Sequence, residues 1–335
     1  MPKGNSVQVD IVTNNGNGFA GSGLVAQRLL ESGFNVNALR TNDVLRKDEW
    51  INFDNAVVSI ARQRLIGVAD LMGAGLSYPV ANALGITRVE WETISDMEPA
   101  EINMSGVTEG RSDRVNFELQ GVPLPIVHKD FNINIRALNA SRNGGSPLDT
   151  TQAELAGKLV AEKIETMLFD GYASIKMQNS TIYGYTTFTN RNTGTVDDWS
   201  NSATDGNDML TDVLEILNDL NAANMYGPFV FYVPLNWYVR LGDDFKANSD
   251  KTILQRLKEV PLVQDIRPSQ NLTNEVVAVQ MTRDVIDMID GFQPTTIMWE
   301  SHGGMVFNFK VMSIMVPRIK ATQSGQCGIA HYSTA

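Results

Sequence analysis

The order of periodicities along the chain predicts an α+β fold. Helix-spaced apolar stripes and alternating, strand-like runs are interspersed without a regular βαβ rhythm, which sets aside a doubly wound parallel sheet. Of the 335 residues 43% are hydrophobic and 19% charged, a core-forming composition, and a chain of this length makes about two domains or one large one. A single cysteine, Cys327, excludes an intrachain disulfide framework and leaves too few thiolates for a zinc or iron–sulfur centre. Packing must therefore hold the fold.

Taken in order, residues 1–23 are dominated by Asn, Gly, Ser and Val, and the run from Asn14 to Gly23 predicts a flexible segment unless something else orders it. A helix follows over DEWINFDNAVVSIARQRL, where Trp50, Phe53, Val57, Ile60 and Arg64 keep a three-or-four spacing. Residues 86–122 hold eight acids against three bases, a net of −5. Their flanks, TRVEWETI and RVNFELQ, alternate as half-exposed strands do, around a turn-rich MSGVTEGRSD. This predicts a long two-stranded arm, and because an isolated hairpin is marginal in water, the arm needs a surface to lie on, in its own domain or on a neighbouring subunit. In VPLPIVHKDFNINIRAL the prolines favour an extended start, and Phe131, Ile133 and Ile135 alternate with polar residues to give a strand with one buried face. The longest helix is predicted from Thr151, with Glu154 at capping-box spacing, a stripe of Ala156, Val160, Ile164 and Met167, and Gly171 as its C-terminal cap. The second half predicts a helix over MLTDVLEILNDLNAA, a turn at Gly227-Pro228, a strand PFVFYVP, and short helices at LNWYVRL and DKTILQRLKEV. Strands NEVVAVQ, PTTIMWE and GGMVFNFKVMSIMVPRI complete the series.

Charge and hydropathy exclude several functions. With 27 Lys+Arg against 38 Asp+Glu the net charge is −11, which argues against a surface built to grip phosphates. No stretch approaches the roughly 20 apolar residues of a membrane helix. The N-terminus, MPKGNSVQVD, lacks the basic-then-apolar plan of a signal peptide, so a cytosol-like compartment is expected.

The chemical motifs are few. Gly16, Gly18 and Gly21 form a GxGxxG after the alternating VQVDIV, and Asp43 falls near the place of an acidic ribose ligand, which raises a dinucleotide-binding enzyme as a remote alternative. Against it, the following helix is short and interrupted by Gly33, and no further βαβ units come after. His128, His302 and His331 lie far apart in sequence, so a metal site would need the fold alone to gather them, and none is expected. Acids spaced along a strand rarely converge on one reacting atom, so the acidic arm reads as a solvated or subunit-facing charged surface, and no catalytic residue or cofactor is expected. Its large apolar groups, Trp91 and Phe117, make sense as anchors into another chain. With Glu98, Arg111 and Arg114 they are the candidate inter-subunit residues.

The series DEWINFDNAVVSIARQRL, acidic arm, PLPIVHKDFNINIRAL, long helix ending in LFDG, YGYTTF, YGPFVFYVPLNWYVRL, NEVVAVQMTRDVIDMI and TTIMWESHGGMVFNFKVMSIMVPRIK resembles the major capsid proteins of tailed bacteriophages, which have the Hong Kong 97-like fold, and their relatives the encapsulins. The likeness covers about residues 40–320. It implies an N-terminal arm over 1–47 and a helical region over 48–85. The extended loop (E-loop) would be 86–122. A peripheral domain with a spine helix at 150–170 would comprise 123–185 plus 294–311, and an axial domain 186–293 plus 312–335. It further implies self-assembly as hexamers and pentamers into an icosahedral shell around double-stranded DNA held without tight binding, in a virion assembled in the host cytoplasm. A portal protein and a separate scaffold or decoration protein are the implied partners, and no membrane is expected. An encapsulin-type compartment is the alternative. Some members of the family join subunits through an extended-loop lysine, but residues 80–128 contain none, so no such cross-link is expected. Some members also carry an N-terminal scaffolding domain of about a hundred residues; with 47 residues before the first clear helix, internal scaffolding by this chain is not expected unless a longer precursor is trimmed. Five bases against three acids make that segment weakly basic, a tie along neighbouring subunits.

Overall fold

The computed structural model describes residues 55–59, 65–95, 97, 102, 104, 114–143, 150–178, 180–246 and 250–334, and the glycine motif at 16–21 lies outside them. A helical turn at 55–59 precedes helix α1 (Ile66–Gly73), strand β1 (Ser77–Pro79) and the paired strands β2 (Arg88–Ile94) and β3 (Phe117–Pro123). Strand β4 (Val127–Asn134), helix α2 (Ile135–Asn143) and the long helix α3 (Thr151–Asp170) follow. Short strands β5 (Tyr172–Met177), β6 (Ser180–Ile182) and β7 (Asn192–Val196) lead to α4 (Gly206–Ala222), β8 (Phe229–Pro234), α5 (Leu235–Arg240) and α6 (Ile253–Lys258). The chain then runs through β9 (Val263–Ser269), β10 (Glu275–Gln280), β11 (Ile286–Ser301), β12 (Val306–Ile319) and β13 (Ile329–Thr334).

Two sheets organise these elements: a four-stranded one in the order β1-β11-β12-β4 and a five-stranded one in the order β7-β13-β10-β8-β9. The burial along β12 shows what covers the first. From Val306 to Val311 every second residue is buried, and from Val311 to Ile319 all are, because the strand passes from being covered on one face to being covered on both. Val311, Met315 and Ile319 pack into the cluster that includes Val160, Ala161, Ile164 and Leu168 of α3. Met312, Ile314 and Val316, of the opposite parity, pack with Val89 and Val122 of the β2–β3 pair. The α3 stripe meets the five-stranded sheet in the same core, where Phe169 sets its ring edge-on to Tyr185 and Tyr232, each 5.3 Å away.

Several boundaries differ from expectation. The cap of α3 is Thr150, one residue before the expected Thr151, and it carries no capping box: its side chain takes no backbone amide, and its hydroxyl donates to the Glu154 carboxylate at 2.8 Å. Gly171 does close the helix at φ 71°, where a Cβ would stand 2.4 Å from the Ile182 carbonyl oxygen. Helix α4 starts three residues before the expected Met209, because Asp205 accepts from the Asn207 and Asp208 amides while Asp208 accepts from the Asp205 amide. Strand β11 runs through the expected 293/294 boundary, beside its register shifts, and β12 runs through 311/312, so both edges cut hydrogen-bonded strands.

A candidate assembly surface

The alternating register of β2 and β3 builds the arm. Arg88 pairs with Pro123, Trp91 with Gln120 and Ile94 with Phe117, so the two faces of the ribbon can be read directly. Val89, Trp91 and Thr93 share a face with Glu118, Gln120 and Val122; Glu90, Glu92 and Ile94 share the other with Phe117, Leu119 and Gly121. The first face lies on the body: Val89 and Val122 are buried beside Ile289, Phe292 and Val316. Towards the tip the second face carries Ile94, Phe117 and Leu119, which are 56%, 64% and 57% exposed. Met97, Ile102 and Met104 beyond them are exposed as well. Nothing among the described residues covers this apolar strip.

The five candidate inter-subunit residues therefore separate. Phe117 is on the exposed strip. Trp91 is on the opposite face, half-buried, with the Arg318 guanidinium 5.5 Å from its ring centroid, so it already has a partner in its own chain. Arg114 is exposed where the strand begins, and Glu98 and Arg111 lie outside the described residues. Sequence reading missed Ile94 and Leu119, although pairing TRVEWETI with RVNFELQ in antiparallel register would have placed them beside Phe117.

The root of the arm is pinned. Arg88 forms an ion pair with Glu90 at 2.7 Å and donates to the Gln178 side chain, and a Cβ on Gly121 would collide with its guanidinium. Beneath Trp91, Arg318 of β12 holds Asp287 of β11 through two hydrogen bonds of 2.7 and 2.6 Å, with Lys320 at 2.8 Å from the same carboxylate. Asp287 and Arg318 are both buried.

A second set of polar groups joins α1, α3 and the five-stranded sheet. Glu165 accepts hydrogen bonds from the Gly67 and Val68 amides at 2.6 and 3.3 Å, seating the first turn of α1 on a carboxylate. Burial pushes its pKa up to about 7 against those two bonds. Burial also raises Asp70, opposed by Arg267 at 3.7 Å and by the Tyr232 hydroxyl, which donates to it at 3.1 Å.

The histidines stay apart: His128 is beside Asp130 on β4, His302 is in the β11–β12 turn, and His331 contacts Glu275 and Arg191. Among the described residues no group of three or more His, Cys, Asp or Glu is placed to hold a metal, and no helix is long and apolar enough to cross a membrane. Cys327 is buried, which pushes its thiol up to about 12.

A family model described as a family of unknown function (DUF6260) matches residues 37–332. A type 1 encapsulin shell protein, EncA, of Myxococcus xanthus (strain DK1622) is 25% identical over 202 residues, 59% of this chain and 63% of that protein, so the chain spans under two thirds of this curated relative. Among solved structures, the capsid of Myoviridae Phage XM1 superposes with a TM-score of 0.60 at 13% identity, over 80% of this chain and 92% of the other. The virus-like particle from Pyrococcus furiosus gives 0.59 at 18%, over 84% and 100%. A chain of Mycobacterium phage Bobi gives 0.56 at 10%, over 79% and 90%. The fold is thus the Hong Kong 97-like fold of these shells.

Proposed function

The chain belongs to the DUF6260 family, and from that premise we propose that it is a shell-forming protein, the major capsid protein of a tailed phage. The observation that carries this reading is the arm's uncovered apolar strip on a fold shared with phage capsids. Ile94, Phe117 and Leu119 together, each more than half exposed, release on the order of 3–5 kcal/mol when covered by a neighbour. Repeated around a closed ring of subunits, contacts of that size become cooperative, because each added subunit meets partners already held in place.

In this reading the β2–β3 arm is the extended loop lying across the next subunit, with Phe117 and Arg114 facing it and Trp91 serving at its root, and Arg111 and Glu98 stay candidates for the same interface. The four-stranded sheet with α3 forms the peripheral domain, and the five-stranded sheet forms the axial domain that meets its copies in hexamers and pentamers. The protein works by shape and contact, as a container for double-stranded DNA in a virion assembled in the host cytoplasm, with a portal and a scaffold or decoration protein as partners. A net charge of −11 suits a wall that encloses DNA without gripping it.

The likeness to an encapsulin shell protein supports a second reading, a compartment that encloses protein. Negative-stain microscopy of the expressed chain tests the shared claim: hollow, uniform particles are expected, and a monodisperse dimer under all conditions would refute it. Mass spectrometry of native particles then separates a protein cargo from an empty or DNA-filled shell.

A further inference from the structure

The geometry points to Arg318 as the residue that fixes the direction in which the arm leaves the body, a clamp built from one guanidinium, two rings and one carboxylate. This inference rests on the reading of the arm as an inter-subunit bridge, for which its direction matters.

Four observations meet at this residue. Register places Arg318 opposite Asp287, and Val316 opposite Ile289, which in turn pairs with Tyr78 of β1; all five lie on the sheet face that the arm crosses. The guanidinium stands 4.2 Å from the Tyr78 ring centroid and 5.5 Å from that of Trp91, so a single cation touches the sheet's edge strand and the arm together. Its fork is oriented by both oxygens of Asp287, which leaves its planar faces for the rings. Finally, the Trp91 indole N–H is buried with no hydrogen-bond partner among the described residues, so the ring is held by packing alone, on the cation and on the apolar cluster that includes Val122 and Val316.

Space is available for the arm to take another direction. A cleft of about 310 Å³ opens beside the clamp, lined on the arm side by Trp91, Thr93 and Gln120 and on the body side by Tyr183, Arg318 and Lys320. With the clamp intact the arm stands clear of this space. Without it, the ribbon loses its tie to the four-stranded sheet at Trp91 and keeps, nearer its base, the Arg88 contacts to Glu90 and Gln178 and the packing of β3 on β5 and β6.

Hydrogen exchange on the full-length chain, kept below the concentration at which particles form, tests this in the unassembled subunit. Arg318→Lys keeps the charge beside Asp287 and loses the flat fork; Trp91→Leu removes the ring and keeps an apolar side chain. Each is expected to speed exchange of the β2 and β3 amides about tenfold while β8 and β10 stay at the wild-type rate. Unchanged arm amides in both variants overturn the clamp, and so does a uniform acceleration over all strands, which marks lost global stability. If Arg318→Lys does not fold, Trp91→Leu alone decides. Microscopy of both variants at assembling concentration is expected to give particles of mixed size and open sheets; uniform wild-type-like shells would overturn the clamp. A wild-type chain that forms no particles refutes the shell reading and leaves the exchange result to stand by itself.

Discussion

A buried carboxylate seated under a helix start costs free energy whenever it is ionised, and Glu165 makes that cost measurable. Its pKa of about 7 in the folded chain exceeds the usual 4.5, so between these values the folded state binds the extra proton. Its contribution to stability is complete below pH 4.5 and is lost as pH rises through 7, by about 3 kcal/mol in all. Glu165→Gln removes that slope: denaturant unfolding at pH 5, 6, 7 and 8 is expected to show the variant gaining on the wild type as pH rises. A constant difference across the series would refute the assignment. Gly67 is the other half of this contact. A Cβ there would stand 2.9 Å from Leu168 Cδ2 and 3.2 Å from Glu165 Oε1, so Gly67→Ala is expected to cost about 1–3 kcal/mol in thermal or denaturant unfolding.

At the scale of elements the arm separates stability from assembly. Phe117→Ser and Leu119→Ser change exposed side chains, so the subunit's unfolding midpoint is expected to stay within about 0.5 kcal/mol of wild type. Particle yield by sedimentation is expected to fall at least tenfold; full yield would remove the strip from the interface. The same arm marks how far the sequence could be read. Its strands, α3 and β8 were legible because each keeps one period: strict alternation at 88–94, a stripe along 151–170, and six apolar residues in a row at 229–234. Strands β7 and β13 were missed because NTGTV and IAHYST are short and mostly polar, and they are strands only through each other and β10. The Arg318–Asp287 pair, 31 residues apart, was hidden for a related reason: the long hairpin had to be in register before the two faced each other. Of the interface candidates Phe117 stood out by size, while Ile94 and Leu119 depend on that same kind of cross-strand pairing.

For the whole molecule, charge sets the conditions of association. Subunits carrying −11 each repel at low ionic strength, and the Debye length shrinks from roughly 30 Å at 0.01 M salt to about 8 Å at 0.15 M, so light scattering is expected to show particle formation rising with salt over that range. A boiled, reduced gel of the particles is expected to show one monomer band, given the lysine-free stretch at 80–128; a ladder of multimers would contradict it. The order of strands in the five-stranded sheet bears on timing as well. Strand β13 lies between β7 and β10, pairing parallel with one and antiparallel with the other, yet it is synthesised after every other strand of that sheet. While a ribosome is still making residues 329–334, β7 has no neighbour and β10 has an open edge. On the shell reading, a nascent chain has no finished sheet to offer its siblings until translation has passed β13, which then acts as the keystone of that sheet.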